Sequence, residues 1–187
     1  MAQYNGYVAV GHSSYDEWRR ITMGNGYNVD FQFGNQCWDY CALLYWQYGL
    51  TLYTGNGTAY SCWTMRRQAN AKGPFKAIDG VTNIRRGDIV VLNRGGGSTN
   101  GHSAFADEDY NKSGYINLVG QNQGGTNGRV NIRKTSLSRF LGIFRNNSWD
   151  HTPGPSPEPP APEPEEKKAY RKDFPWPVAW NNWKGFM

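Results

Sequence analysis

The chain has 187 residues and a formal charge of +5, which suits one ordinary globular domain with an appendage and excludes two large domains. No apolar run approaches the roughly 18 residues of a membrane-spanning helix, and residues 1–10 are too polar for a signal peptide, so we expect a soluble protein. Aromatic residues make up 15% of the chain beside 23 Gly, which favours strands and turns, and the positive charge favours an anionic partner such as nucleic acid, a cell wall or an acidic membrane face.

Three helices are predicted in the first part of the chain. Ser14 and Glu17 have the spacing of a capping box, which indicates a helix start, and Gly24 stands where that helix would end. The segment that begins at Asn35 or Gln36 is apolar nearly all round, as expected of a buried central helix. The predicted helices are 14–23, 35–49 and 59–71.

Short β runs replace the helical pattern later in the chain. Each is rich in apolar and β-branched residues and is bounded by Gly, Asn or Asp, which is typical of strands. Because the helices come first and the strands second, the sequence predicts an α+β fold with N-terminal helices packed on an antiparallel sheet. The predicted strands are 88–92, 102–106, 115–122 and 142–145.

Residues 151–187 differ in composition from the preceding domain, 1–150. Seven prolines fall between residues 153 and 164, interleaved with glutamates, so 151–166 is predicted to be a stiff polyproline II linker. The tail, 167–187, holds six aromatic residues in a stretch too short to bury them. They need a partner, which could be the domain itself, another chain or a ligand such as glycan.

Three cysteines cannot all pair within one chain, so at least one thiol stays free unless two chains join. Cys37 stands at the first turn of the predicted central helix, where unpaired N–H groups and the helix dipole stabilise a thiolate. Cys41 and Cys62 fit core packing better than a zinc site, because the spacing of these thiols is poor for zinc. Cys37 is therefore the candidate nucleophile, although a lone cysteine in an aromatic helix also fits a small core residue.

A cysteine nucleophile needs a base, and the chain has three histidines. His151 lies in the predicted linker and His12 in a loop, whereas His102 opens a predicted strand. If this strand pairs antiparallel with the next, Asn122 at the end of that strand is available to orient the imidazole. A histidine at a strand edge is more often structural, but the conjunction with a thiol at a helix start favours chemistry.

Four stretches place these residues in one order: Gln-Cys-Trp-Asp within 27–39, Arg-Gly-Asp-Ile-Val at 86–90, Gly-His-Ser-Ala at 101–104 and Val-Gly-Gln-Asn at 119–122. In this order they resemble the CHAP domain, the cysteine- and histidine-dependent amidohydrolase/peptidase module of peptidoglycan hydrolases in the papain-like superfamily. The resemblance spans about residues 10–147 and points most to phage endolysins. Its most specific part is Gln-Cys-Trp-Asp followed at this distance by Gly-His.

The resemblance implies a papain-like fold and a role for each matching residue. Cys37 would attack an amide carbonyl, and His102 would be its base and later the acid for the leaving amine. Asn122 would orient the imidazole, and Gln36 with the Cys37 N–H would stabilise the oxyanion. Several family members carry a Glu where this chain has Gly120, so the orienting role rests on an uncharged Asn, which holds an imidazolium less favourably.

Some relatives bind calcium through carboxylates on either side of the cysteine, and the resemblance implies a candidate calcium site here. Its ligands would be Asn28, Asp30, Asp39 and the Gln32 carbonyl, an oxygen-rich set that suits Ca²⁺. Asn28 stands where an Asp is common, which would weaken binding. The alternative is that Asp30 makes a loop hydrogen bond and Asp39 caps the helix. No cofactor is expected for the chemistry itself.

The resemblance and the basic charge together predict a peptidoglycan hydrolase that cuts an amide: the bond between muramic acid and L-alanine, or a peptide bond of the stem or cross-bridge. It would be a phage endolysin that leaves the host cytoplasm once the membrane is permeabilised, or a virion-associated tail lysin. The alternative is a non-catalytic wall-binding or structural phage module, joined through 167–187 to another phage subunit or copy. Nucleic acid is less favoured because the arginines are scattered, and no membrane insertion is expected.

Overall fold

The computed structural model describes residues 3–4, 7–8, 13–124 and 128–149. The predicted linker 151–166 and tail 167–187 lie outside the described residues, as do His12 and His151. Within the described ranges, no helix combines the length and the apolar character needed to cross a bilayer.

The first helix, α1 (Tyr15–Thr22), begins after the predicted capping residue. Glu17 donates its backbone N–H to Ser14 Oγ at 3.1 Å, which satisfies one of the free amides at the helix start. Asp107 ties the helix to the rest of the domain, because its carboxylate accepts a hydrogen bond from Arg19 Nε at 2.7 Å. The first predicted helix is therefore confirmed.

The second helix, α2 (Cys37–Gln47), lies at the centre of the domain and is buried along most of its length. It is apolar nearly all round because it packs against both α1 and one face of the sheet. Asp39 is fully buried and fixes the helix start: its carboxylate accepts the N–H of Gln36 at 2.8 Å and that of Val29 at 2.9 Å. One side chain thus holds both α2 and the loop that precedes it.

The third predicted helix is replaced by two shorter helical pieces. A 3₁₀ turn covers Ala59–Cys62, and a single wide π-helical turn covers Arg66–Asn70. Asn70 is fully buried and exchanges two hydrogen bonds of 2.8 Å each with the backbone of Tyr53. These hydrogen bonds anchor the end of the π-helical turn to the segment that contains Tyr53.

In the part of the chain that the structure describes, six strands form one antiparallel sheet, and two further strands at the N-terminus pair with each other. The strands are β1 (Gln3–Tyr4), β2 (Tyr7–Val8), β3 (Phe75–Ile78), β4 (Ile89–Leu92), β5 (His102–Ala106), β6 (Tyr115–Gly120), β7 (Asn131–Ser136) and β8 (Phe140–Asn146). The order across the large sheet is β3-β8-β4-β5-β6-β7, so β3 and β7 lie at its edges. The predicted α+β class with an antiparallel sheet is confirmed.

The four predicted strands correspond to β4, β5, β6 and β8. β5 keeps its predicted bounds, whereas β6 ends at Gly120 and not at Asn122. The edge strands β3 and β7 have no counterpart in the prediction. The early end of β6 determines which side chains reach the functional site.

The sheet carries apolar residues on both faces. One face packs against the two helices through aromatic rings: Tyr45 stacks on Phe75 with centroids 3.8 Å apart, and Tyr40 meets Phe105 edge-on at 5.0 Å. The opposite face carries an aliphatic cluster that includes Val90. Because β5 is packed from both sides, the residue that begins it is held in a rigid frame.

Candidate active site

Cys37 and His102 meet where α2 and β5 begin. Cys37 is the first residue of α2 and is 8% exposed; free N–H groups of the first helical turn favour a negative charge on its sulfur. His102 is the first residue of β5, where it pairs with Leu92 of β4. The Cys37 thiol and the His102 imidazole lie close enough for each to shift the pKa of the other. The structure therefore brings the predicted nucleophile and base together.

Gly101 allows the strand to enter the site. Its φ of +70° lies in the left-handed region, which residues other than glycine rarely adopt. A Cβ at this position would lie 2.5 Å from the carbonyl oxygen of Leu92 and 2.5 Å from the Cβ of Tyr60. The Gly-His pair is thus a steric requirement, because only glycine fits directly before His102.

The pKa values of the two side chains are shifted in opposite directions, that of Cys37 downward and that of His102 upward. Burial raises the pKa of the Cys37 thiol, but the hydrogen bond and charge of His102, together with the Ser103 N–H, outweigh burial and leave the pKa lowered. Burial lowers the pKa of the His102 imidazole, but the contacts with Cys37 and Gln123 outweigh both burial and the charge of Arg139, so the pKa is raised. Both displacements favour a thiolate–imidazolium pair.

Gln123 contacts the imidazole, a contact that the sequence does not predict. His102 Nε2 lies 3.0 Å from Gln123 Oε1. The Gln123 side chain is anchored, since its Nε2 donates to the carbonyl of Leu118 at 2.8 Å and to that of Asn131 at 2.7 Å. Its only sequence signal is its place directly after the Gln-Asn pair, which does not distinguish it from Asn122.

Asn122 lines the same cleft but does not take the predicted position against the imidazole. The register of β5 and β6, continued beyond Gly120, would set Asn122 opposite His102. Instead β6 ends at Gly120 and Asn122 takes a left-handed φ of +52°, which turns the chain out of the sheet. Asn122 Nδ2 donates to Gln36 Oε1 at 3.0 Å, so the predicted contact is corrected: Gln123 makes it.

Gln36 immediately precedes α2, and its carboxamide is held at both ends. Oε1 accepts from Asn122, and Nε2 donates to the carbonyl of Phe33 at 2.6 Å. An amide nitrogen carries two hydrogens, so one donor remains for a ligand beside Cys37. The fully buried Gln121 supports the same segment by donating to the Gln36 carbonyl at 2.9 Å. The amide of Gln36 is therefore oriented in advance.

An open cleft of about 540 Å³ exposes this site to solvent. The glycine-rich loop 96–101 and β7 contribute to its walls. Arg139 braces the start of that loop by donating to the carbonyls of Asn93 at 2.8 Å and Gly95 at 2.6 Å. The charged residues along the described lining are all cations, so the cleft favours an anionic ligand. They are Arg133, Lys134 and Arg139.

The candidate calcium ligands lie in the loop before α2 and in its first turn. Asp30 Oδ1 accepts the Gln32 N–H at 2.8 Å, and the Asp39 carboxylate accepts two backbone N–H groups. Burial raises the pKa of Asp39 to about 6, and the charge of Asp30 adds to this effect, so the two carboxylates repel each other. Among the described residues, no three His, Cys, Asp or Glu side chains form a metal-binding group. The oxygen donors of Asn28 and Gln32 would have to complete the site, a set that fits Ca²⁺ in kind.

Cys41 and Cys62 are fully buried in the apolar cluster between the helices and the sheet. Burial raises the pKa of both thiols. The interpretation of these two residues as core packing is confirmed. Of the three thiols, Cys37 alone has a lowered pKa.

A central helix that begins with a thiol, packed on an antiparallel sheet whose strand begins with an imidazole, defines the papain-like class of α+β proteins. The predicted papain-like fold is confirmed by comparison with known structures. The family model described as the CHAP domain matches residues 23–122, which is more than half of the chain. The chain belongs to the CHAP domain family.

Two known proteins give the extent of the similarity. The chain is 34% identical over 131 residues to a protein named D-alanyl-L-alanine endopeptidase from Streptococcus phage B30, an alignment that covers 67% of this chain and 28% of that protein. The solved structure of a wild-type endolysin, LysIME-EF1, superposes with a TM-score of 0.58 and 19% identity, covering 72% of this chain and 64% of the other. The chain therefore spans under a third of the phage relative, and the structural likeness establishes a common fold.

Proposed function

We propose that this chain hydrolyses an amide bond of bacterial peptidoglycan, with Cys37 as the nucleophile and His102 as its base. One observation carries the proposal: Cys37 is the thiol whose pKa is lowered, and it lines the open cleft beside the imidazole. Membership of the CHAP family and the name of the phage relative support peptidoglycan as the substrate. That name also favours a peptide bond over the bond between muramic acid and L-alanine.

The proposed reaction proceeds in two halves through an acyl-enzyme. His102 takes the thiol proton, and the Cys37 thiolate attacks the carbonyl carbon, which places negative charge on the carbonyl oxygen. His102 then gives this proton to the leaving nitrogen, the C–N bond breaks and a thioester remains. A water molecule, deprotonated by His102, attacks the thioester and releases a carboxylic acid and the free thiol.

The oxyanion of each tetrahedral intermediate is proposed to accept from the Cys37 N–H and from the remaining amide hydrogen of Gln36. Asn122 acts through Gln36, because its hydrogen bond to Oε1 fixes which end of the amide faces the cleft. A donor of this kind contributes about 100-fold to 1000-fold in rate.

Hydrolysis of purified Gram-positive walls tests the proposal, with Cys37→Ala as the loss variant and Cys41→Ala as its matched control. Cys41 lies one helical turn further along α2 and does not line the cleft. We expect the wild type and Cys41→Ala to clear the walls and Cys37→Ala to leave them intact. If Cys37→Ala clears walls as fast as the wild type, the assigned nucleophile is wrong.

Mass spectrometry of the released fragments identifies the bond. A new free carboxylate on D-alanine indicates an endopeptidase, which is the expected outcome. A new free carboxylate on muramic acid indicates an amidase and contradicts the finer proposal without affecting the hydrolase itself.

We infer that the protein acts in phage lysis and reaches the wall after the host membrane is permeabilised. The support is that the relative of known name is a phage protein. The expected result is protein in the lysate and none in purified virions. Its presence in virions would instead indicate a virion-associated lysin, and wall binding without hydrolysis would indicate a structural module.

We also propose that the loop before α2 and Asp39 hold one calcium ion in a structural role. The support is the repulsion between Asp30 and Asp39, which a divalent cation would relieve. After chelation, added calcium should raise the melting temperature of the wild type. The shift should be smaller for Asp30→Asn, which keeps the oxygen that accepts the Gln32 N–H but loses the charge. No shift in the wild type would contradict the proposal.

A further inference from the structure

Gln123 is a buried polar side chain whose two N–H donors are both used by backbone carbonyls. It is 6% exposed, and its Nε2 donates to two backbone carbonyls, those of Leu118 at 2.8 Å and Asn131 at 2.7 Å. A carboxamide nitrogen has two hydrogens, and both are therefore committed. The remaining atom, Oε1, lies 3.0 Å from His102 Nε2 and can only accept.

This commitment determines where the imidazole carries its proton. Since Gln123 Oε1 cannot donate, His102 Nε2 must be the donor in their contact. A neutral imidazole has one N–H, so the other ring nitrogen, Nδ1, carries the free lone pair. Nδ1 is then the ring atom able to take a proton from Cys37.

We propose that Gln123 is the positioning residue of the histidine base: by accepting from Nε2–H it fixes the ring orientation and the tautomer that leaves Nδ1 for the Cys37 proton. The inference rests on the proposed hydrolase function and adds a residue that none of the four sequence motifs contains. When His102 becomes an imidazolium, Nε2 still donates to the same oxygen. The contact therefore persists through the whole proton transfer.

Gly120 provides the space that Gln123 occupies. A Cβ at position 120 would lie 2.7 Å from the Cβ of Ala104 and 3.1 Å from Gln123 Oε1. The left-handed turn at Asn122 folds the chain back, so that the next residue places its carboxamide against Gly120 and beside the ring. The glycine that deprives the strand of a side chain here is thus the condition for Gln123 to reach His102.

Two substitutions separate an orienting role from a merely structural one. Gln123→Met keeps the approximate length and volume of the side chain and removes the acceptor for Nε2–H. Gln123→Glu keeps an oxygen acceptor facing the ring and adds a negative charge. Both variants deprive the Leu118 and Asn131 carbonyls of their donors, and Gln123→Glu also sets a carboxylate oxygen against them, so a merely structural role would impair Gln123→Glu at least as much as Gln123→Met. Higher activity in Gln123→Glu than in Gln123→Met therefore reports on the ring.

We expect Gln123→Met to lower kcat about 100-fold, the typical contribution of a positioned acid–base group, with KM nearly unchanged. Gln123→Glu should recover much of this loss, and the alkaline limb of its pH–rate profile should move to higher pH because a carboxylate stabilises the imidazolium. Among the described residues, the other groups that act on the His102 pKa are the Cys37 thiol and the Arg139 guanidinium, and they are the same in both variants. Equal impairment of the two variants, or wild-type kinetics in Gln123→Met, would overturn the proposal.

Two further measurements keep the test decisive. The rate at which iodoacetamide alkylates Cys37, measured across pH, reports on the thiol–imidazole pair without any wall substrate. The effect of the Gln123 variants on this rate can therefore be measured even if the protein does not hydrolyse peptidoglycan. Nitrogen-15 NMR of the native protein, at a pH high enough for the His102 imidazole to be neutral, reads the tautomer directly. The His102→Gln variant assigns the signals of this ring. Protonation at Nε2 is expected; protonation at Nδ1 would overturn the proposal whether or not the variants fold.

Discussion

A thiol at the start of a helix becomes a strong nucleophile only when its proton has an acceptor nearby, and the three cysteines of this chain differ in that respect. Burial raises the pKa of Cys41 and Cys62, and no histidine of the described ranges lowers it. Cys37 is also buried, but its contact with His102 reverses the direction of the shift. Position at the start of a helix is therefore not enough to lower the pKa of Cys37; the His102 imidazole at the start of β5 is also needed.

The opposed pKa displacements of Cys37 and His102 predict a bell-shaped dependence of kcat/KM on pH. The reactive form is thiolate with imidazolium, so the acid limb reports deprotonation of Cys37, at a pH below the ordinary value for a thiol. The alkaline limb reports loss of the His102 proton, at a pH above the ordinary value for an imidazole. Kinetics on a soluble peptide fragment across pH measure both limbs.

Replacement of the imidazole tests the origin of the acid limb. In His102→Ala the thiol keeps its burial but loses the partner that lowers its pKa, so alkylation by iodoacetamide at neutral pH should fall by about 100-fold. Cys62→Ala is the control, since it removes a different buried thiol. An unchanged alkylation rate in His102→Ala would mean that the helix start alone ionises Cys37.

At this scale the sequence predicts which thiol and which imidazole come together, but not which residue contacts the imidazole ring. Cys37 and His102 are distinguished by residue type and by their places at the starts of predicted elements. Asn122 and Gln123 are adjacent amides, and a straight extension of β6 favours Asn122. The choice depends on a left-handed turn at Asn122, a conformation that Asn adopts more readily than most residues but that its presence alone does not predict.

At the scale of elements, the predictions succeed where burial imposes a pattern. α2 and β4 are buried on nearly all sides and read as continuous apolar runs, whereas β3 and β7 are the edges of the sheet. β7 reads Asn-Ile-Arg-Lys-Thr-Ser and carries its polar side chains outward, so it lacks the apolar alternation that marks a strand. It forms a strand because β6 offers it a partner, which is a tertiary cause.

A buried ion pair joins the start of β4 to β8 and predicts a large loss of stability when it is broken. Arg145 donates Nε to Asp88 Oδ1 at 2.9 Å and a terminal nitrogen to Oδ2 at 2.8 Å, and the Asp88 side chain is fully buried. Asp88→Ala leaves a guanidinium in a low-dielectric setting without its counter-charge, at a cost of about 3–5 kcal/mol. Urea unfolding measures this loss.

The control for that prediction is an ion pair near the surface. Asp16 pairs with Arg86, but its side chain is 62% exposed, so Asp16→Ala should cost less than about 1 kcal/mol. Similar losses for Asp88→Ala and Asp16→Ala would show that the β4–β8 pair is not a main support of the sheet.

At the scale of the whole molecule, the net charge of +5 and the cleft have the same sign. Arg133 and Lys134 of β7 line the cleft beside Cys37, and the described lining contains no acidic residue. The sequence predicts a basic protein, but its lysine and arginine residues are spread along the chain and do not by themselves indicate where the charge gathers. Only the pairing of β7 with β6 brings two of them to the site.

This arrangement predicts that the catalytic efficiency falls with salt when the substrate carries free carboxylates. Raising ionic strength from 0.01 to 0.15 M shortens the screening distance from about 30 Å to about 8 Å, so long-range attraction weakens while contacts in the cleft persist. Arg133→Gln should raise KM, leave kcat nearly unchanged and flatten the plot of log kcat/KM against salt. Lys76→Gln removes the same charge from β3 at the opposite edge of the sheet and should leave the plot close to that of the wild type. If the two variants flatten the plot equally, the attraction comes from net charge and not from the cations of the cleft.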